Sequence, residues 1–237
     1  HLPLVLGEDK KRLSKRHAAT SLNAYKEMGF TKESIINALA LLGWSTENEI
    51  FSMNELIKSF NLKNVQKGAA VFDLKRFNWV SSQHLAKLND DAFIEAIHPF
   101  MEDEGIDDVA PNYKEILIAM RTSKTNLKEI AYATRPFFFE LEEYDEKGVN
   151  KFLKGSLETL TFALETLSKI SEWNETELDM ALINVRDYFN LPIPKVNQPM
   201  RIALVGSTIS PSLGLTLELF GKEKSLERIK KAIDFIS

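Results

Sequence analysis

The sequence has 237 residues, of which 44% are hydrophobic and 27% charged, with a formal net charge of −4. These proportions are ordinary for a globular protein. The chain contains no cysteine, which excludes disulfide bonds, thiolate catalysis and cysteine zinc sites. Its four histidines lack the spacing of metal ligands, and no apolar run approaches the ~20 residues of a membrane span. We therefore expect no metal site and no membrane segment.

The chain opens on the apolar run LPLVL, which predicts a β-strand, and a dense cluster of cations follows it. The cluster consists of Lys10, Lys11, Arg12, Lys15 and Arg16. Such a loop can hold a polyphosphate, because each Lys or Arg meets phosphate oxygens with charge-assisted hydrogen bonds. A run of charges also marks a solvated turn, and spacing alone favours that interpretation. The run begins without Met or a signal peptide, so we expect the chain to be part of a longer protein.

Helical patterns follow the basic loop. Thr31 can cap the segment TKESIINALALLG, in which apolar residues recur at i, i+3, i+4 and i+7. Ser52 and Glu55 predict a capping box for SMNELIKSF, because hydroxyl and carboxylate satisfy each other's backbone donors. Asp73 then begins a short helix. The first third of the chain therefore alternates compact elements with short turns.

From about Asn89 the predicted helices are longer. Pro99 lies inside the first of them and is expected to end or kink it. One long helix is predicted over residues 146–171, with an apolar stripe that Gly155 weakens. A further helix ends at Gly206, and an amphipathic helix closes the sequence.

The change of pattern between residues 80 and 90 predicts a domain boundary. Residues 1–86 form a small mixed segment, and residues 87–237 form an all-helical domain of a common size. The predicted fold class is mainly α. Trp44, Trp79 and Trp173 stand among apolar neighbours and are expected in the core.

Several stretches in fixed order along the chain resemble one family. RLSKR, at Arg12 to Arg16, is similar to the second signature of class I aminoacyl-tRNA synthetases, in the form that glutamyl-tRNA synthetases carry. The stretches SLNAYKEMGF, ALALLGW, VFDLKRFNW and QPMRIALVGS, with SPSLG and LFGKE after them, resemble bacterial glutamyl-tRNA synthetases in the same order. The resemblance covers nearly all of the chain, so we expect a C-terminal portion of such an enzyme.

The resemblance implies an ATP-binding loop formed by Arg12, Leu13, Ser14, Lys15 and Arg16. Lys15 matches the second lysine of the signature, which in the family contacts ATP and stabilises its triphosphate during glutamate activation. ATP with Mg²⁺ is therefore implied as a substrate of the full-length enzyme. The family's first signature and its glutamate pocket have no counterpart in the sequence. This portion alone is expected to be inactive and to bind no cofactor.

The resemblance also implies a tRNA-binding surface. Residues from about 20 to 80 correspond to a region that contacts the tRNA stem, and the rest corresponds to a helical anticodon-binding domain. Arg201 matches an arginine that contacts an anticodon base, and Ser210, Pro211 and Leu213 match a turn on which the first anticodon base rests. Without the resemblance, an ion pair for Arg201 and an ordinary turn at Ser210 and Pro211 are the simpler interpretations.

One position departs from the family pattern. Enzymes restricted to tRNA(Glu) commonly carry an arginine that reads the third anticodon base, and Ser123 stands at that position here. A lost bidentate base contact is worth about 1–3 kcal/mol of discrimination. We therefore expect an enzyme that charges both tRNA(Glu) and tRNA(Gln) with glutamate.

Three functions remain open from the sequence. The first is a glutamate–tRNA ligase, cytoplasmic and monomeric, that has no membrane partner. The second is a non-catalytic tRNA-binding helical module, which would not need the basic loop behind a strand. The third is a structural helical scaffold, favoured only if the loop and the region of Arg201 bind nothing.

Overall fold

A computed structural model describes residues 4–13, 21–44, 46 and 48–237, and its mainly α fold confirms the predicted class. Among these residues no helix combines the length and apolar character needed to cross a membrane. In chain order the elements are β1 Val5–Leu6, α1 Leu22–Glu27, α2 Lys32–Ala40, α3 Met53–Ser59, a 3₁₀-helix Leu62–Asn64, β2 Ala70–Val71, α4 Leu74–Lys87, α5 Asp90–Asp103, α6 Tyr113–Met120, α7 Leu127–Phe138, α8 Glu146–Gly148, a π-helix Val149–Leu153, α9 Leu157–Ser168, α10 Glu175–Tyr188, α11 Ile193–Val205, α12 Leu213–Phe220 and α13 Lys222–Ile236.

The residues predicted to cap helices lie at the starts of α2, α3 and α4. The Thr31 hydroxyl accepts a hydrogen bond from the backbone N–H of Ser34 at 3.3 Å, which starts α2. Ser52 and Glu55 form both bonds of a capping box at the start of α3. Asp73 accepts from the first backbone N–H groups of α4, which is longer than the short helix expected there. These local signals are confirmed because each satisfies a donor that the helix itself leaves unpaired.

The predicted first strand is confirmed as β1, which pairs in parallel with β2. Val5 lies opposite Ala70, and Leu6 lies opposite Val71. The chain after β1 turns back on itself, since the backbone N–H of Leu13 donates to the carbonyl of Val5 at 2.9 Å. The two short strands therefore fix the start of the basic loop to the segment that leads into α4.

The described chain forms two compact units, each built from two stretches. Unit 1 holds the described residues up to Asp108 together with Lys124–Ala133, and unit 2 holds Val109–Ser123 together with Thr134–Ser237. The boundary between residues 86 and 87 that the sequence suggests stays a prediction.

An aromatic cluster forms the core of unit 1. Among the rings of Tyr25, Phe30, Phe72 and Phe77, five pairs have centroids 4.7–6.2 Å apart. Trp44 packs into the same core, as expected. Trp79 does not, because its side chain is 42% exposed on α4, so the expectation for Trp79 is wrong.

The single long helix predicted over residues 146–171 is wrong. The segment forms α8 and the π-helix Val149–Leu153, breaks, and resumes as α9. Gly155 has a φ of +83°, a conformation in which an α-helix cannot continue. The apolar stripe is real, but it belongs to two elements separated by this break.

Pro99 does not end α5, which continues to Asp103. The proline ring removes one backbone donor, and the carbonyl left without it is that of Glu95. Both residues lie on the exposed face of the helix. Water can therefore satisfy this carbonyl, which explains why the helix tolerates the proline.

The last helix of unit 2, α13, carries cations that reach the carboxyl ends of other helices. Lys222 donates to the carbonyl of Ile170 at 2.6 Å, just after α9. Arg228 is 2% exposed and donates to the carbonyl of Leu204 at 2.5 Å and to that of Phe139 at 2.7 Å. Cations at these positions complement the negative ends of the helix dipoles. Arg228 thereby ties the last turns of α7 and α11 to α13.

Candidate nucleic-acid interface

The candidate interface of unit 2 is built around the end of α11. The helix stops at Gly206, as predicted, where a φ of +72° directs the chain into a loop over residues 206–212. The N–H of Gly206 donates to the carbonyl of Ile202 at 2.9 Å and closes the last turn. The loop then leads directly into α12. Arg201 lies on the last turns of α11 and therefore beside this loop.

The structure brings Arg201 into contact with Ser210 and Pro211. The Arg201 Nε donates to the Ser210 hydroxyl at 3.2 Å, and a terminal nitrogen donates to the Pro211 carbonyl at 3.4 Å. Burial lowers the pKa of Arg201, although a guanidinium stays charged near neutral pH. Arg201 thus bonds to the predicted turn, and the alternative of an ion pair finds no support in these bonds.

The contacts of Arg201 leave part of its donor set available. A guanidinium carries five N–H donors in one plane. The bonds to Ser210 and Pro211 use two of them, so three have no hydrogen-bond partner among the residues that the structure describes. A planar cation held along one edge can still present donors to the acceptor groups of a base or to a phosphate.

Two side chains of α10 hold the start of α12. The Ser212 hydroxyl donates to a carboxylate oxygen of Glu175 at 2.5 Å, and the backbone N–H of Gly214 donates to Asp179 at 3.0 Å. These carboxylates satisfy polar groups at the amino end of α12 and lie favourably near its dipole. They fix the exit of the loop that carries Ser210.

Leu213, the third residue predicted for the turn, is 3% exposed. Its side chain packs into unit 2 at the first position of α12. The predicted contact between this residue and a base stays a prediction. In this conformation the backbone of Leu213, and not its buried side chain, would make such a contact. The buried side chain of Leu213 anchors the turn to the core of unit 2.

Ser123 lies in the turn that follows α6. Its backbone N–H donates to the carbonyl of Met120 at 2.9 Å, and its hydroxyl oxygen is buried. Arg121 and Lys124, on either side, are both half-buried. The side chain at position 123 therefore offers no planar pair of donors to a base in this conformation.

The predicted ATP-binding loop falls largely outside the described residues. Ser14, Lys15 and Arg16 belong to that part, and their roles stay predictions. Arg12 is exposed, and Leu13 packs against the core of unit 1. Leu13 therefore anchors the start of the loop, while Arg12 is free to face solvent, which suits a cation that meets phosphate.

The sequence did not reveal the polar groups behind the turn. Thr216 is fully buried on α12, and its hydroxyl lies 3.1 Å from the Ser210 hydroxyl. One signal was visible, because Thr216 is the polar residue of the otherwise apolar stretch LGLTL. The roles of Glu175 and Asp179 had no comparable signal, since acidic residues at the start of a helix are common.

Two family models match the chain in succession. The model for the catalytic domain of class I (E and Q) tRNA synthetases matches residues 1–79, and the model for the anticodon binding domain matches residues 92–233. The second match covers more than half of the chain and contains Arg201 and its turn.

Curated relatives match over the whole chain. The glutamate–tRNA ligase of Legionella pneumophila strain Philadelphia 1 is 36% identical over 239 aligned residues, covering 100% of this chain and 51% of the relative. That of Syntrophotalea carbinolica is 38% identical over 240 aligned residues, covering 98% of this chain and 51% of the relative. The chain thus spans about half the length of the curated relatives it matches.

A solved structure of a glutamate tRNA ligase also matches the fold of this chain. The crystal structure of a glutamate tRNA ligase from Elizabethkingia meningosepticum, in complex with its amino acid, aligns with a TM-score of 0.77 at 28% identity. The alignment covers 100% of this chain and 51% of that one. The predicted family is therefore confirmed: the chain belongs to the anticodon binding domain family of tRNA synthetases and is a homologue of the glutamate–tRNA ligases.

Proposed function

We propose that the protein to which this chain belongs is a glutamate–tRNA ligase, which activates glutamate with ATP and transfers it to the 3′ end of tRNA(Glu). The observation that supports this most strongly is the succession of the two matched families along one chain. A non-catalytic tRNA-binding module would not need the first of them. We further propose that the enzyme is cytoplasmic and monomeric.

In this proposal the basic loop acts on ATP. Lys15 would stabilise the triphosphate, with Ser14 and Arg16 beside it, while glutamate attacks the α-phosphate and pyrophosphate leaves. Electrostatic stabilisation of the charge that develops during such a transfer is usually the largest contribution to its rate. Mg²⁺ would accompany the nucleotide. Arg12 would add a further cation at the exposed start of the loop.

The helices of unit 2 would read the anticodon. Single-stranded loop bases are recognised by stacking and by hydrogen bonds to their edges. Arg201 is held along one edge by Ser210 and Pro211, so its remaining donors keep a defined plane. This geometry favours recognition of a base over a simple charge contact, because a fixed fork has a direction that a point charge lacks.

We also propose that the enzyme charges tRNA(Gln) as well as tRNA(Glu). The support is Ser123, whose short side chain cannot supply the two parallel donors that distinguish one base from another. Charging assays on both transcripts test this point, and failure to charge tRNA(Gln) would refute it.

The main experiment separates adenylate formation from tRNA binding in the full-length protein. Lys15→Ala should slow glutamate-dependent exchange of pyrophosphate into ATP, measured with tRNA present, far more than it weakens tRNA binding. Arg201→Ala should instead raise the KM for tRNA(Glu). Arg201→Lys is the matched variant, since it keeps the charge and loses the fork; it should show most of the same rise in KM. Equal effects of Lys15→Ala and Arg201→Ala on both steps would contradict the proposal.

A further inference from the structure

Behind the turn that contacts Arg201 lies a buried hydroxyl that the proposed function does not use. Thr216 is 0% exposed and is the fourth residue of α12. Its hydroxyl lies 2.8 Å from the carbonyl of Ser212 and 3.1 Å from the hydroxyl of Ser210. The same Ser210 hydroxyl accepts the hydrogen bond from Arg201 Nε. Thr216, Ser210 and Arg201 therefore form one hydrogen-bonded network from the core of unit 2 to the guanidinium.

Two hydroxyl hydrogens serve this network, one on Thr216 and one on Ser210. The Thr216 O–H donates to the Ser212 carbonyl, so the Ser210 O–H is the donor to the Thr216 oxygen, and the Pro211 carbonyl is the other acceptor within its reach. The Ser210 oxygen meanwhile accepts the Arg201 Nε–H. A serine hydroxyl turns freely about its C–O bond and has several rotamers. Thr216 limits this freedom, because its own position is fixed by burial and by the bond to Ser212. The hydroxyl of Ser210 is thus held from behind while it bonds to Arg201 in front.

An i−4 bond from threonine to a carbonyl is common in helices and does not itself indicate a function. Thr166 on α9 provides the comparison, since its hydroxyl bonds to the carbonyl of Phe162 at 2.8 Å in the same manner. Thr216 differs from Thr166, which is half-buried, in its complete burial and in its second neighbour, Ser210, through which it connects to Arg201.

We propose that Thr216 is a positioning residue for anticodon recognition, because its buried hydroxyl orients Ser210 and thereby fixes the plane of the Arg201 guanidinium. The inference rests on the proposed function, since it assigns Thr216 to the tRNA-binding step of that reaction. The expected consequence of losing the hydroxyl is a guanidinium that keeps its charge but samples several orientations. Binding then weakens, and discrimination among anticodon bases weakens with it.

The test compares Thr216→Val with Thr166→Val in the full-length protein. Both changes replace a hydroxyl by a methyl group of similar volume and remove an i−4 bond. Thr216→Val should raise the KM for a tRNA(Glu) transcript about fivefold, as expected for one neutral hydrogen bond, and leave kcat within about twofold. It should also reduce the preference for that transcript over transcripts with one anticodon base substituted. Thr166→Val should change neither quantity.

Two further variants separate positioning from general support of the fold. Thr216→Ser keeps the hydroxyl and should retain the KM of the unaltered protein. In an Arg201→Ala background, Thr216→Val should raise KM no further, because the group that it positions is gone. Thr216→Ala replaces Thr216→Val in both comparisons if the valine variant does not fold.

The outcomes distinguish this inference from the function on which it rests. If the unaltered protein does not charge tRNA(Glu), the proposed function fails and the inference fails with it. If the unaltered protein charges tRNA(Glu) but Thr216→Val behaves like Thr166→Val, the inference alone is overturned. An additive effect of Thr216→Val and Arg201→Ala on KM also overturns it.

Discussion

Gly214 on α12 and Asp179 on α10 approach so closely that no side chain fits between them. The Gly214 N–H donates to Asp179 at 3.0 Å, and a Cβ atom at position 214 would lie 2.6 Å from the carboxylate oxygen of Asp179. The same Cβ would lie 2.6 Å from the backbone carbonyl oxygen of Glu175. The carbonyl belongs to a helix and cannot move aside easily. The position beside the candidate interface therefore requires glycine.

Gly214→Ala should destabilise the chain by about 2–3 kcal/mol, because the added methyl group forces α10 and α12 apart and strains the bond to Asp179. Part of that cost is already offset by the better helix propensity of alanine. Urea unfolding of the two proteins measures the difference. Gly68→Ala is the control, since a Cβ at that exposed position meets nothing within 4 Å and should shift stability by less than about 0.5 kcal/mol. Equal losses at both positions would contradict the packing argument.

Gly29→Ala should be costly for two reasons. Its φ of +82° is unfavourable for alanine, and the new Cβ would lie 2.5 Å from the backbone nitrogen of Lys128. Gly105 shares the first feature, with a φ of +72°, but has open space around it. Gly105→Ala should therefore lower the free energy of unfolding by about 1 kcal/mol, because of the backbone conformation alone.

The loss at Gly29 should exceed that at Gly105 by about 2 kcal/mol or more, the additional cost of the clash. Thermal and urea unfolding of both variants provide the comparison. The carbonyl of Gly29 also accepts a hydrogen bond from the N–H of Leu127 at 2.9 Å, so displacement would weaken the start of α7. If the two glycines prove equally tolerant, the close approach at Gly29 does not exist in solution.

Arg228→Met should destabilise the chain by about 2–4 kcal/mol, because the carbonyls of Leu204 and Phe139 both lose their buried donor. The stability of Arg228→Lys should lie between those of the unaltered chain and Arg228→Met. One ammonium group cannot bond to both carbonyls in the geometry of a guanidinium fork. Lys230→Met, an exposed position on the same helix, is the control and should stay within about 0.5 kcal/mol. A fully stable Arg228→Met variant, measured by urea unfolding, would show that the two carbonyls find water instead.

His84 should make the stability of the chain depend on pH. Its Nε2 lies 2.8 Å from the side-chain oxygen of Asn37, which also accepts the backbone N–H of Phe51. Burial lowers the pKa of His84 from its usual value, the charge of Lys87 lowers it further, and Glu33 opposes both. The unfolded chain therefore binds a proton at this site at a higher pH than the folded chain does.

It follows that the contribution of His84 is fully present above about pH 6.5 and is lost as the pH falls below that value. The slope from one such group cannot exceed about 1.4 kcal/mol per pH unit. His84→Gln keeps a donor for Asn37 and removes the titration, so its stability should fall less between about pH 7 and pH 5. Parallel pH profiles for the unaltered chain and His84→Gln would rule out this assignment.

Local signals in the sequence were sufficient for much of the fold. Thr31, Ser52 and Asp73 each mark the start of a helix, because a cap acts within three residues of itself. The break at Gly155 was harder to predict, since the apolar stripe continues across it and glycine alone does not state its φ. Trp79 was misplaced for a related reason: apolar neighbours in sequence do not establish which face of α4 is covered.

The candidate interface could be predicted only in part. Family resemblance indicated Arg201, Ser210 and Pro211, which the structure brings into contact. The supporting contacts of Thr216, Asp179 and Gly214 depend on how α10 and α12 approach each other, and nothing in the local sequence specifies that distance. Arg228 likewise resembles the other cations of an amphipathic helix until its burial is known.

The two compact units exchange chain more than once. The chain passes from unit 1 to unit 2 after Asp108, returns to unit 1 at Lys124, and passes to unit 2 again after Ala133, within α7. No single proteolytic cleavage can therefore release either unit whole. Grafting one unit onto another scaffold therefore needs several splice points.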